Sequence, residues 1–201
     1  MAARGIGRDM LNMLVGKLLL RLLGWRIEGR PSDLDRCVFI VAPHTSNWDF
    51  VFAILVKWSM RVSVNFLGKA SLFQPPFGWW FRWMGGAPVD RSHPQGLVEQ
   101  VVEKFRTRSS FRLALAPEGT RKKTAHWKSG FYQIASGAEV PLQLVALDLQ
   151  GKRFVFGQTI TLCGDVTKDM DVIRSFYTDL GVMDESNTPV RLQSEVKPDG
   201  V

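Results

Sequence analysis

The chain has 201 residues, of which 45% are hydrophobic and 22% charged, and its formal net charge is +7. That length suits one domain with a full core, and that balance excludes a disordered or fibrous chain. The basic excess favours acidic lipid, a phosphate-bearing metabolite or nucleic acid as partner, or else it is a solvated surface.

Residues 1–26 are expected to form an amphipathic N-terminal helix. Lys17 and Arg21 interrupt its apolar run, and no small-residue cleavage site follows, which disfavours a signal peptide. The run is also short of the ~20 apolar residues a spanning helix needs. Lys17 and Arg21 share one helix face, Leu14, Leu18 and Leu22 line a neighbouring stripe, and Trp25 closes the segment. Such a helix either lies in a membrane interface or packs on the domain's own core.

Residues 27–182 are expected to form a single α/β domain with a central mixed sheet flanked by helices. Trp25 to Glu28 reads as a short strand, 30–36 as a turn, and "CVFIVA" (37–42) as a strand buried on both faces. A mostly apolar helix follows over 48–60, then the start of a strand within 62–70. Residues 73–86 are aromatic, opening with Pro-Pro and stopping at Gly-Gly; the tryptophans suit a membrane interface, an acyl-chain groove or core packing. Residues 87–92 form a short strand running into a polar turn. Ser92 and Gln95 stand at capping-box spacing before a helix carrying Leu97, Val98, Val101, Val102 and Phe105. Residues 111–121 read as a strand ending in a loop, 130–138 as a helix, 140–149 and 153–160 as strands, and 168–181 as a last helix. Residues 183–201 are polar and read as a tail.

Two cysteines, Cys37 and Cys163, lie far apart with no C-x-x-C spacing, so both read as packed thiols in a cytosolic setting. Three segments carry chemistry. In "PHTSNWD", His44 directly follows a strand, where α/β sheets open their ligand crevices. Asp49 is placed to fix its tautomer, as a general base requires. Ser46 and Asp49 equally spell a helix capping box. In "APEGTR", Glu118, Gly119, Thr120 and Arg121 follow a second apolar strand, with Lys122, Lys123 and Lys128 nearby. Arg121 offers a planar fork suited to phosphate, or the loop is a basic surface. In "PVDR", Arg91 precedes a helix start, where it either serves an anion or pairs with Asp90. His93 and His126 have no comparable context.

Together, "HTSNWD", "GGAPVDR", "APEGTR" and "VPLQLVAL" resemble, in order and spacing, the motif blocks of the glycerolipid acyltransferases, typified by 1-acylglycerol-3-phosphate acyltransferase. The resemblance spans about residues 37–148 and implies that family's α/β fold. It implies that His44 is the base that deprotonates an acceptor hydroxyl, with Asp49 orienting it. It further implies direct attack of that hydroxyl on an acyl-CoA or acyl-carrier-protein thioester, with no metal and no other cofactor. Arg91 would hold the acceptor's phosphate, Glu118, Gly119, Thr120 and Arg121 would shape and charge the same site, and Lys128 would add a phosphate contact. The implied acceptor is a lysophospholipid, by default lysophosphatidic acid. The implied setting is the cytoplasmic face of a membrane, with the protein peripheral or monotopic. Four departures bear on acceptor identity: Pro43 before the histidine, "APVDR" in the second block, Lys122 after Arg121, and Leu144 in the fourth block. A non-catalytic lipid-binding module on the same fold is the alternative. Nucleic acid is not expected as a partner, because the basic residues are scattered and no recognition motif appears.

Overall fold

The structure is a computed structural model that describes residues 3–89, 94–120 and 126–183. Helix α1 (Ala3–Leu22) leads into strand β1 (Arg26–Glu28) and the central strand β2 (Arg36–Ala42). Then come α2 (Asn47–Met60), β3 (Asn65–Lys69), a 3₁₀ turn (Ala70–Phe73), α3 (Gly78–Trp83) and β4 (Gly86–Val89). The chain continues through α4 (Pro94–Thr107), β5 (Phe111–Leu115), α5 (Gly130–Ala138), β6 (Leu142–Asp148), β7 (Arg153–Ile160) and α6 (Val166–Asp179).

The seven strands form one sheet in the order β1-β7-β6-β2-β5-β3-β4. Every neighbouring pair is parallel except β6 and β7, so the sheet is mixed. The uninterrupted apolar run of β2 has the expected cause: helices cover both of its faces. Alternation splits it cleanly. Val38, Ile40 and Ala42 join the core under α4, α5 and α6, whereas Cys37 and Phe39 join the core under α1 and α2. Strand β6 does the same, with Leu142, Leu144 and Ala146 on one side and Val145 and Leu147 on the other.

Helix α1 packs on α2 through Gly16, where a Cβ would lie 2.7 Å from the Leu55 carbonyl oxygen and 2.9 Å from the Ser59 nitrogen. Only glycine permits that approach. Leu20, 4% exposed, and Trp25, stacked on Phe52 at 4.1 Å between ring centroids, complete the contact. The outward face of α1 keeps Leu14, Leu18 and Leu22 at 56%, 57% and 72% exposure. One face of the helix thus packs on the core, as one of the two sequence expectations has it, and the opposite face is apolar and open.

Two other segments depart from expectation. The aromatic segment yields the six-residue helix α3, which periodicity could not mark because apolar residues surround it. Phe73 is buried, while Phe77 and Trp79 are exposed. Helix α6 begins two residues early, at Val166, because Asp165 accepts the Thr167 and Lys168 N–H groups as its N-cap. Met183 is buried, so the packed domain reaches the first residue of the expected tail; residues 184–201 lie outside the described residues. So does Ser92, and with it the capping box expected before α4.

Candidate active site

Strand β2 delivers the chain to the sheet's central carboxyl edge, and Pro43 and His44 follow at once. The local sequence then starts a helix. Ser46 adopts extended backbone as N-cap, and its Oγ accepts the Trp48 N–H at 3.1 Å. Asp49, at the third helical position, returns the bond: its Oδ2 accepts the Ser46 N–H at 2.7 Å. The same oxygen accepts the Thr45 N–H at 2.6 Å and lies 3.1 Å from His44 Nδ1. Asp49 Oδ1 accepts the Ser46 hydroxyl at 3.1 Å. The capping box and the histidine–carboxylate pair are thus one structure, because folding the helix start brings the Asp49 carboxylate under the ring. Asp49 is 4% exposed and His44 24%, so the acid is shielded while the imidazole reaches the crevice. Donation from Nδ1–H to Asp49 leaves the lone pair of a neutral imidazole on Nε2.

Strand β5 runs parallel beside β2, with Ile40 opposite Leu115, so the loop carrying Glu118 rises next to His44. Glu118 is 6% exposed and stands behind His44, not in the lining of the cavity described below. Its Oε1 instead accepts the His44 backbone N–H at 3.0 Å across 74 residues of sequence. Its Oε2 is buried and accepts no hydrogen bond among the described residues. Burial pushes this carboxyl up to about 7, against the pull of its own and the His44 N–H groups, and the Asp49 charge pushes the same way as burial. Local sequence gave no sign of this contact, which depends on two strands lying side by side.

Beyond His44 lies a cavity of about 1170 Å³. One arm is apolar and runs between α2 and the sheet, lined by Phe39, Val41, Val56, Val145, Leu147 and Phe154. Lys57 sits on its wall, with Nζ donating to the Val64 and Met84 carbonyls at 2.8 and 2.6 Å; burial lowers its ammonium to about 8. The other arm is polar, lined by Gly119, Thr120, Lys128, Ser129, Gly130 and Gln133. Gly119 has φ +61°, and a Cβ there would lie 2.7 Å from Lys128 Cδ, so this loop holds the lysine stem closely. Among the described residues no side chain caps the first turn of α5, which begins beside Lys128, and both features suit an anion.

Of the residues singled out from sequence, His44, Asp49, Gly119, Thr120 and Lys128 line one cavity, and Glu118 stands behind His44. Arg91 and Arg121 lie outside the described residues. Strand β4, which ends at Val89, runs parallel through β3 and β5 to β2, so its carboxyl end is on the same sheet edge as His44. Among the described residues, no group of three or more His, Cys, Asp or Glu could hold a metal ion.

Comparison with known proteins gives a consistent outcome. A 1-acyl-sn-glycerol-3-phosphate acyltransferase of Cocos nucifera is 29% identical over 142 residues, covering 67% of this chain and 45% of the relative. A protein of the same description from Streptococcus pneumoniae (strain ATCC BAA-255 / R6) is 31% identical over 137 residues, covering 63% and 50%. The chain therefore spans about half the length of the curated relatives it matches. Among solved structures, the 1-acyl-sn-glycerophosphate (LPA) acyltransferase PlsC from Thermotoga maritima superposes with a TM-score of 0.60. It is 19% identical, with 92% of this chain and 86% of that chain covered, which establishes the shared fold. The family model described as Acyltransferase matches residues 26–148, which contain His44, Asp49, the Glu118 loop and Lys128, and the chain belongs to that acyltransferase family.

Proposed function

We propose that this protein transfers a fatty acyl chain from a thioester, acyl-CoA or acyl-carrier protein, to the hydroxyl of a lysophospholipid-like acceptor. The default acceptor is lysophosphatidic acid, after the relatives' described activity. The observation that carries the reading is the His44–Asp49 contact of 3.1 Å at the mouth of a cavity with one apolar and one cationic arm. A purely lipid-binding module has no need of an imidazole tied through Nδ1 to a buried carboxylate.

In this reading the acceptor hydroxyl gives its proton to His44 Nε2 as its oxygen attacks the thioester carbonyl. Asp49 holds the ring and stabilises the imidazolium that forms. The tetrahedral intermediate collapses, the C–S bond breaks, and the imidazolium returns the proton to the departing sulfur. The products are an ester and a free thiol, with no acyl-enzyme and no cofactor. Ser46 is not the nucleophile, since its hydroxyl is committed to Asp49 and Trp48. Glu118 anchors the His44 backbone. Lys128 and the first turn of α5 receive the acceptor's phosphate together with Arg91 and Arg121, and the apolar arm takes the acyl chain.

The protein works at the cytoplasmic face of a membrane, peripherally or monotopically. The open leucine face of α1 and the exposed Trp48, Phe77 and Trp79 support that placement. Among the described residues, no helix is long and apolar enough to cross a membrane. The test is a mass-spectrometric screen of lysolipid acceptors with purified protein, supplied in turn with acyl-CoA and acyl-carrier protein. Acylated product from at least one acceptor is expected. Free thiol released with no acylated lipid from any acceptor would overturn the reading.

A further inference from the structure

A second cavity, of about 580 Å³, lies where the C-terminal half of α1 meets β1 and the end of α2. It shares no lining residue with the cavity at His44. Its floor is apolar, made by Leu20, Trp25, Ile27 and Met60, and its rim is cationic, made by Lys17, Arg21 and Arg26. Lys152 adds a fourth positive charge, its Nζ donating to the Leu23 carbonyl at 3.2 Å.

These charges lack internal balance. Two acids of the adjoining strands are already engaged: Arg153 binds Glu28 at 3.5 Å and Asp148 at 2.8 Å. No carboxylate forms an ion pair with Lys17, Arg21 or Arg26 among the described residues. Cations do favour the C-terminal end of a helix, and Arg21 and Lys152 fit that role. Lys17 lies a turn further back and Arg26 belongs to a strand, so the helix end does not account for them.

Position supplies the second argument. Lys17 and Arg21 flank the exposed stripe of Leu14, Leu18 and Leu22 along the same helix. When such a stripe dips below the headgroups, the flanking cations come to the level of the lipid phosphates. The mouth of the cavity comes to that level with them. We infer that this pocket is a binding site for the phosphate headgroup of an anionic bilayer phospholipid, separate from the acceptor site and holding α1 at a fixed depth and rotation. The inference rests on the membrane placement proposed above, but its test contains no acyl donor, so it stands or falls independently of the transfer reaction.

The experiment measures full-length protein binding to vesicles of phosphatidylcholine alone or mixed with phosphatidylglycerol. Two triple variants are compared: Lys17→Gln/Arg21→Gln/Arg26→Gln at the pocket, and Lys104→Gln/Arg106→Gln/Arg108→Gln at the end of α4 on the opposite face of the sheet. They remove equal charge, and circular dichroism checks that both fold. Three headgroup-level cations predict a loss on the order of 100-fold for the pocket variant on mixed vesicles. Little change is expected for the α4 variant, or for either variant on phosphatidylcholine alone. Equal losses in the two variants would reduce the effect to net charge and overturn the site. Displacement of wild-type protein from mixed vesicles by inorganic phosphate at constant ionic strength would assign the pocket to a free anion and overturn the lipid.

Discussion

Replacing Glu118 with glutamine separates what this residue does for His44 from what its charge costs the fold. The native carboxyl is raised from 4.5 to about 7, so the folded protein holds that proton more tightly than the unfolded chain does. The associated stability is fully present below about pH 4.5 and is lost as pH rises through about 7. At about 1.4 kcal/mol for each pH unit of the gap, the loss amounts to about 3 kcal/mol. Glutamine does not titrate, and its carbonyl can still accept the His44 N–H. The stability difference between Glu118→Gln and wild type should therefore move in the variant's favour by 2 to 3 kcal/mol, roughly, between about pH 5 and about pH 8. Urea unfolding at the two pH values measures this, and taking the difference of differences cancels every other titrating group. A difference independent of pH would show that Glu118 is ionised in the native state at both, and would refute the reasoning. The variant should also keep transfer activity within about tenfold, whereas Glu118→Ala, which leaves the His44 N–H without its acceptor, should lose more.

Two further variants probe the scaffold. Ser46→Ala removes the N-cap of α2 and one bond to Asp49, and should cost about 1 kcal/mol in denaturant unfolding. Its activity should survive at a reduced level, and complete loss would make Ser46 more than a cap. Gly16→Val drives methyl groups into the Leu55 carbonyl and the Ser59 backbone, and should cost about 1–3 kcal/mol. Thermal unfolding checks this, and an unchanged midpoint would mean that α1 does not pack on α2 as described.

The fold was legible in the sequence where patterning was strong. The β-branched and aromatic run of β2 pointed to a strand covered on both faces, and the order of strands and helices announced an α/β sheet. The His44–Asp49 pair was visible because both residues bracket one helix start, and the structure shows the contact and the capping box as one hydrogen-bonded unit. What could not be read depended on distance in the chain. Glu118 meets His44 only because β5 pairs with β2, and its burial behind the base follows from that register. The apolar arm of the cavity gathers residues from four elements, none of them remarkable alone. Helix α3 was hidden for a different reason: in six mostly aromatic residues, Arg82 alone is polar, too little to set a period.

The most direct test of the central claim is kcat/KM for His44→Ala with an acyl thioester and whichever lysolipid the wild-type protein acylates. A general base of this kind contributes about 10²- to 10⁴-fold, so a loss of that size is expected with unfolding and vesicle binding unchanged. Transfer at the wild-type rate by a folded His44→Ala protein would contradict the account.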